Sequence, residues 1–260
     1  MLTAHGVTHP GRVRKNNEDA LFWDAGLGLC VVADGMGGHN AGEVASQLAI
    51  EAIKGFLDRS RNAEDFTWPY GLDPSMSFQS NRLMTAIKLA NRRVFKAGES
   101  RDDYTGLGTT VVVALVGDGR LTFCGIGDSR LYLYANGALE QVTQDDTWTA
   151  TILGRGLGHD VKKFTAHPLR HVLTNVLGAR AQIEMQVGER ALDGDATLLL
   201  CSDGLHNALD DAALAEVLAG RAPAEEQAEA LVQLALEREA TDNITALVAR
   251  VSTNGSAAKH

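Results

Sequence analysis

Residues 109–142 carry four apolar runs separated by turn signals, with no length between them for a crossover helix. The β-branched run 109–116, TTVVVALV, reaches 120–127 through Gly117-Asp118-Gly119. The runs 131–134 and 138–142 flank Asn136-Gly137, the dipeptide that best suits a type I′ turn. Parallel neighbours need a crossover of about a dozen residues or more, so each of these two turn-linked pairs is antiparallel. Further strands are expected at 2–7, 20–24, 28–34, 183–187, 196–201 and 244–251. Val44, Leu48, Ala52, Ile53 and Phe56 recur at helical spacing over 42–57, and Leu83, Ile87, Ala90 and Val94 do so over 81–95. Two more helices are expected at 211–218 and 224–238, the second opening after Pro223. The class is therefore α+β, antiparallel sheet with helices on its outer faces. One domain over 1–252 is expected, with 253–260 as a disordered tail. The stretches 61–79 and 144–170 read as long irregular segments, a type that often carries function.

Charge narrows the partners. The 260 residues carry a formal net charge of −9, against a broad basic surface for nucleic acid. No apolar window approaches the ~18 residues of a membrane span, and the N-terminus has no signal-peptide core. Cys30, Cys124 and Cys201 each lie inside an apolar run, which reads as buried free thiols and a reducing, cytoplasmic compartment.

The chemistry sits at strand ends. VVADG and LLLCSDG are both apolar strands that stop at Asp-Gly, placing Asp34 and Asp203 at rigid tips. Either one alone reads first as a turn. Two of them change the balance, because burying acids beside apolar strands is costly without compensation. Three more acidic groups lie at strand ends: Asn17-Glu18-Asp19, Thr241-Asp242-Asn243 and Gly127-Asp128-Ser129-Arg130. If these ends converge, the carboxylates repel one another unless divalent cations neutralise them. Donors that are all oxygen favour Mg²⁺ or Mn²⁺ over Zn²⁺.

Seven segments in order, RKNNED, VVADGMGGHNAGEVAS, GLGTTVVVALV, GIGDSRLYLY, HPLRHVLTNVLG, LLLCSDGL and TDNITALV, resemble the metal-dependent PPM, or type 2C, serine/threonine protein phosphatases. The DGMGGH form resembles the bacterial branch. The resemblance implies an α-β-β-α sandwich of two antiparallel sheets flanked by helices. It implies two tightly bound Mn²⁺ or Mg²⁺ ions and a possible weaker third. Asp34 would bridge the pair, the Gly35 carbonyl would bind one ion, and Asp203 and Asp242 the other. Glu18 and Asp19 would act mainly through metal-bound water. Arg14 would hold substrate phosphate, and Asp128 with Asp203 would hold the third ion. A hydroxide shared by the two ions would attack phosphorus with no phosphoenzyme. The implied partners are phosphoproteins, substrates of a cognate Ser/Thr kinase, met by a monomer.

Several residues keep two readings. His39 is a candidate proton donor to the leaving oxygen or a loop-ordering residue; in the eukaryotic branch a histidine directly follows Asp-Gly, where this chain has Met36. Asp128 is a third-ion ligand, or a turn residue bonded to backbone or paired with Arg130. Arg130 binds phosphate or pairs with a nearby carboxylate. Trp148 contacts substrate or covers the apolar side of its loop. His167 and His171 have a helical metal spacing, but Pro168 between them argues against zinc. The segment 144–170, with Asp145 and Asp146, reads as a mobile flap beside the site. The alternatives to a protein phosphatase are a non-enzymatic binder of the same fold and a hydrolase of small phosphate esters.

Overall fold

The computed structural model describes residues 1–38, 40–61, 66–100, 102–104, 106–154, 169 and 172–252. Its first sheet orders β1 (Leu2–His9), β11 (Ile244–Val251), β10 (Ala196–Cys201), β7 (Arg130–Ala135) and β8 (Ala138–Gln141). The second orders β2 (Asp19–Asp24), β3 (Leu29–Met36), β5 (Val111–Gly117), β6 (Arg120–Ile126) and β9 (Gly188–Ala191), with the short β4 (Gly108–Thr109) against the end of β3. Every pair is antiparallel. The expected hairpin is present, with φ of 53° at Asn136 and 79° at Gly137.

The central strands lack an apolar–polar alternation because both of their faces are covered. From β3, Cys30 and Val32 point between the sheets, while Leu29, Val31 and Ala33 pack under helices α1 (Ala41–Arg59) and α2 (Phe78–Ser100). From β10, Leu198 and Leu200 face the other sheet, and Leu199 and Cys201 face the opposite helical layer. That layer holds α5 (Asp211–Ala219) and α6 (Ala224–Glu237), through Leu214, Ala228 and Leu231. Asp210 caps α5 by accepting the Ala213 N–H at 3.0 Å. The result is the four-layer α-β-β-α sandwich. Each fully buried Leu or Phe in it contributes roughly 1.5–3 kcal/mol.

Residues 183–187 are not a strand. Ile183, Met185 and Val187 dock in alternation against the α1–α2 core, but backbone pairing begins only at Gly188. Their period of two reflects side-chain docking without a ladder. Two short helices escaped the periodicity, α3 (Trp148–Gly154) and α4 (Asp203–His206), since one or two turns show too little pattern. The chain crosses between sheets at Gly127–Ser129. A Cβ on Gly127, whose φ is +91°, would lie 2.6 Å from Thr110 Cγ2. The expected tail at 253–260 lies outside the described residues.

Candidate functional site

All five acidic groups come to the same end of the sandwich. Register makes the first junction, setting Asp19 directly opposite Asp34 across β2 and β3. A cross-sheet network makes the second. Asp19 Oδ2 accepts from Ser202 Oγ (2.7 Å) and Thr245 Oγ1 (2.6 Å), which lie at the ends of the interior strands β10 and β11 of the other sheet. Asn243 makes the third, accepting the Glu18 N–H at 2.8 Å and donating to the carbonyls of Pro10 and Asn16, each at 3.0 Å. These bonds carry residues far apart in sequence to one rim.

The Asp-Gly glycines serve close packing of backbone on backbone. A Cβ on Gly35 would sit 1.9 Å from the Gly42 carbonyl oxygen, and one on Gly204 would sit 2.0 Å from that of Asn243. A Cβ on Gly42 would meet the Glu18 carboxylate at 2.6 Å. Small residues therefore let the start of α1 press against Glu18 and the tip of β3.

The Asp34 backbone is clamped. Its N–H donates to Thr110 Oγ1 (3.1 Å), and its carbonyl accepts from Thr110 N (2.9 Å) and Thr109 Oγ1 (2.8 Å). Burial pushes the Asp34 carboxyl well above the usual carboxylate range. The charges of Asp19, Asp203, Asp128 and Asp242 all push the same way, so Asp34 stands at the centre of the group. Burial also raises Asp19 to about 6 and Asp203 to about 6, and Asp128 to about 7 with the Asp203 charge as its next cause. Glu18 is raised by burial and held back by Arg14 and the Gly42 N–H. None of Asp19, Asp34, Asp128 and Asp203 takes part in an ion pair among the described residues.

The fit to a divalent cation follows from this chemistry. The donors are all oxygen, their negative charges crowd one another, and buried Asp19 Oδ1 has no hydrogen-bond partner. Among the described residues no three His, Cys, Asp or Glu side chains close tightly enough to enclose an ion on their own. Donors that are all oxygen suit Mg²⁺ or Mn²⁺, which keep water in their coordination shell.

Arginines occupy the margins. Arg14 Nη2 donates to Asp242 Oδ2 at 2.8 Å, so the residue expected to hold phosphate engages a carboxylate expected to hold metal. Arg130 pairs with Asp145 through Nε and Nη2, at 3.0 and 2.8 Å, and donates from Nη1 to the Tyr132 hydroxyl at 2.9 Å. Of the two readings of Arg130, the carboxylate pair is the one present. The pairing of Arg130 with Asp128 is absent.

The start of the expected flap is tied by hydrogen bonds to the turn at Gly127 and to Val172. Asp146 N donates to the Gly127 carbonyl (2.7 Å), and Gly127 N donates back to Asp146 Oδ2 (3.2 Å). Trp148 N donates to the Val172 carbonyl at 2.9 Å, at the head of α3. His39, His167, His171 and the segment 155–168 lie outside the described residues. Sequence reasoning missed Ser202, Thr245 and His206. Ser202 and His206 flank Asp203 in LLLCSDGLH, and Thr245 follows Asp242 in TDNIT, so proximity was the available signal.

Comparison with known proteins bears on the whole chain. A family model described as protein phosphatase 2C matches residues 8–238. Serine/threonine protein phosphatase PstP of Mycobacterium tuberculosis is 36% identical over 241 residues, covering 93% of this chain and 43% of that protein. The chain thus spans less than half the length of that relative. Serine/threonine phosphatase stp of Listeria innocua is 32% identical over 250 residues, covering 93% of this chain and 92% of that protein. A solved structure of the PstP catalytic domain in complex with two manganese ions has a TM-score of 0.79 at 33% identity, covering 96% of this chain and 99% of that one.

Proposed function

The chain belongs to the protein phosphatase 2C family, and on that premise we propose that it removes phosphate from phosphoserine and phosphothreonine in proteins in a metal-dependent reaction. The observation that carries this reading is the convergence of acidic residues at one end of the sandwich, with Asp19 opposite Asp34 in register and bonded to Ser202 beside Asp203, where burial and the neighbouring charges raise the Asp34 carboxyl. Two Mn²⁺ or Mg²⁺ ions bound there would supply Lewis acidity and an acidified water for direct attack on phosphorus, without a phosphoenzyme.

The chain's own residues divide the remaining work. Asp34 would bridge the ions, with the Gly35 carbonyl on one side and Asp203 and Asp242 on the other. Glu18 and Asp19 would orient coordinated water. Asp19 is already fixed for this by the Ser202 and Thr245 hydroxyls, with Oδ1 left over. Asp128 and Asp203 would share a third, weaker ion. Arg14 uses one nitrogen on Asp242, and its planar guanidinium has further N–H groups to offer phosphate oxygens. His39 remains a candidate proton donor to the leaving oxygen.

The substrates would be phosphoproteins made by a cognate Ser/Thr kinase, met by a monomer. The free, buried Cys30, Cys124 and Cys201 suit a reducing compartment such as the cytoplasm. Among the described residues no helix is long and apolar enough to cross a membrane.

Phosphate release from phosphoserine, phosphothreonine and phosphotyrosine peptides and a small aryl ester, with Mn²⁺, Mg²⁺ or chelator, tests the reading. Release from the first two peptides that stops in chelator is expected. Peptide binding without release would make the chain a non-enzymatic binder. Release from the ester alone would make it a small-ester hydrolase.

A further inference from the structure

We infer that His206 is a positioning residue that fixes Asp128 relative to Asp203 and so sets the affinity of the weakly held third ion. This rests on the third-ion role proposed above for Asp128. His206 closes the short helix that begins at Asp203. Its Nε2 meets the main-chain oxygen of Asp128 at 2.9 Å, across 78 residues of sequence. A carbonyl can only accept, so Nε2 carries the proton in this bond.

The bond completes a small frame. Arg130, two residues after Asp128, pairs in register with Cys201, two residues before Asp203. On the far side of both acids, His206 bonds to Asp128 itself. The sheet therefore fixes one edge of the pair and the histidine fixes the other. Gly127, just before Asp128, is separately tied to Asp146 by two hydrogen bonds. Without the His206 donor, the Asp128 peptide would keep its ties to the flap root but lose its tie to the helix carrying Asp203. Asp128 and Asp203 come from different turns, so a ligand pair made of both depends on whatever holds those turns together. His206 acts through the Asp128 backbone.

The test follows Mn²⁺ binding by calorimetry, with melting temperature measured in parallel, for wild type, Asp128→Ala, His206→Phe and His206→Gln. Wild type should show a weak phase beyond the two tight ions, and Asp128→Ala should lose it. His206→Phe keeps the ring but not the donor. It should keep the tight phase and need about five- to tenfold more Mn²⁺ to fill the weak one, the scale of one lost hydrogen bond. Glutamine places an N–H donor at the reach of Nε2 and should restore the wild-type curve. If His206→Phe does not fold, His206→Asn replaces it; its donor is too short to reach and should give the same weakening. A weak phase lost in Asp128→Ala but unchanged in His206→Phe overturns this inference alone, as does a glutamine variant as impaired as the phenylalanine one. A wild type with no weak phase overturns the third-ion role and the inference together.

Discussion

The centre and the margin of the acidic group solve the same electrostatic problem in opposite ways. At the margin Asp145 and Asp242 each have a cation of their own. Asp145 pairs with Arg130 at side-chain exposures of 14% and 23%, and Asp242 pairs with Arg14 at 39% and 55%. At the centre, Asp19 opens β2, Asp34 lies near the end of β3, Asp128 lies in the turn between β6 and β7, and Asp203 opens α4; the carboxyls of all four are shifted upward by burial. The margin is a finished structure, neutral through its own residues. The centre carries crowded like charge until protons or cations neutralise it.

Asp34→Asn should produce the largest effect, because it removes the acid on which the other four act. Turnover with Mn²⁺ is expected to fall by about three orders of magnitude or more, roughly 4 kcal/mol of transition-state stabilisation. In chelator the same variant should melt above wild type, since one crowded charge is gone. Asp145→Asn should do the reverse, losing about 2 kcal/mol of stability by leaving the Arg130 charge half-buried without its partner. Paired melting curves in chelator check the comparison, and equal signs for the two variants would break it.

The next effect is in pH. Asp19, Asp203 and Asp128 have folded-state values of about 6, 6 and 7, against an ordinary 3.8. A raised acid binds more protons folded than unfolded, so the stability it contributes is complete below about pH 4 and is lost as pH rises through 6 to 7. In chelator, these groups should make the melting temperature fall over that window. Saturating Mn²⁺ should raise the melting temperature, and more at pH 7.5 than at pH 5, where protons compete for the same carboxylates. A metal increment independent of pH would count against the centre as the binding site.

Arg14→Ala should give the smallest effect. Its partner Asp242 is partly exposed, and such pairs are worth ~1 kcal/mol or less. The KM for a phosphopeptide is expected to rise about five- to tenfold from loss of one charge-assisted contact. Half-saturation by Mn²⁺ should shift slightly lower, because Asp242 is released from its arginine. An unchanged KM and unchanged inhibition by phosphate would remove Arg14 from substrate binding.

Much of this was legible in the chain, because hydrophobic periodicity and turn chemistry are local. Asn136-Gly137 dictates its hairpin through positive φ at both residues, and the run ITALVARV is β11 residue for residue. The acidic residues were legible for a related reason. An aspartate that closes an apolar run conflicts with its surroundings, and the conflict shows at Asp34 and Asp203 without a structure, although β3 runs on to Met36 and Asp203 opens α4 rather than ending β10. Residues 183–187 show the limit of that reasoning: alternation records which side chains dock, and says nothing about whether a neighbouring strand has free N–H and C=O groups to pair with.

What the chain determined by itself was therefore the kind of layer, the strand tips and the acids upon them. Tertiary structure alone decided which acids acquire cations of their own. Arg14 reaches Asp242 across 228 residues, Thr245 reaches Asp19 across 226, and His206 reaches Asp128 across 78. No periodicity encodes such pairs, because Thr245 meets Asp19 only when the two sheets stack, and the other two pairs meet only when β1 lies beside β11 and β7 beside β10. Charge enters a sequence as a sum, but its effect depends on distance and burial, and those exist only once the sheets have closed on each other.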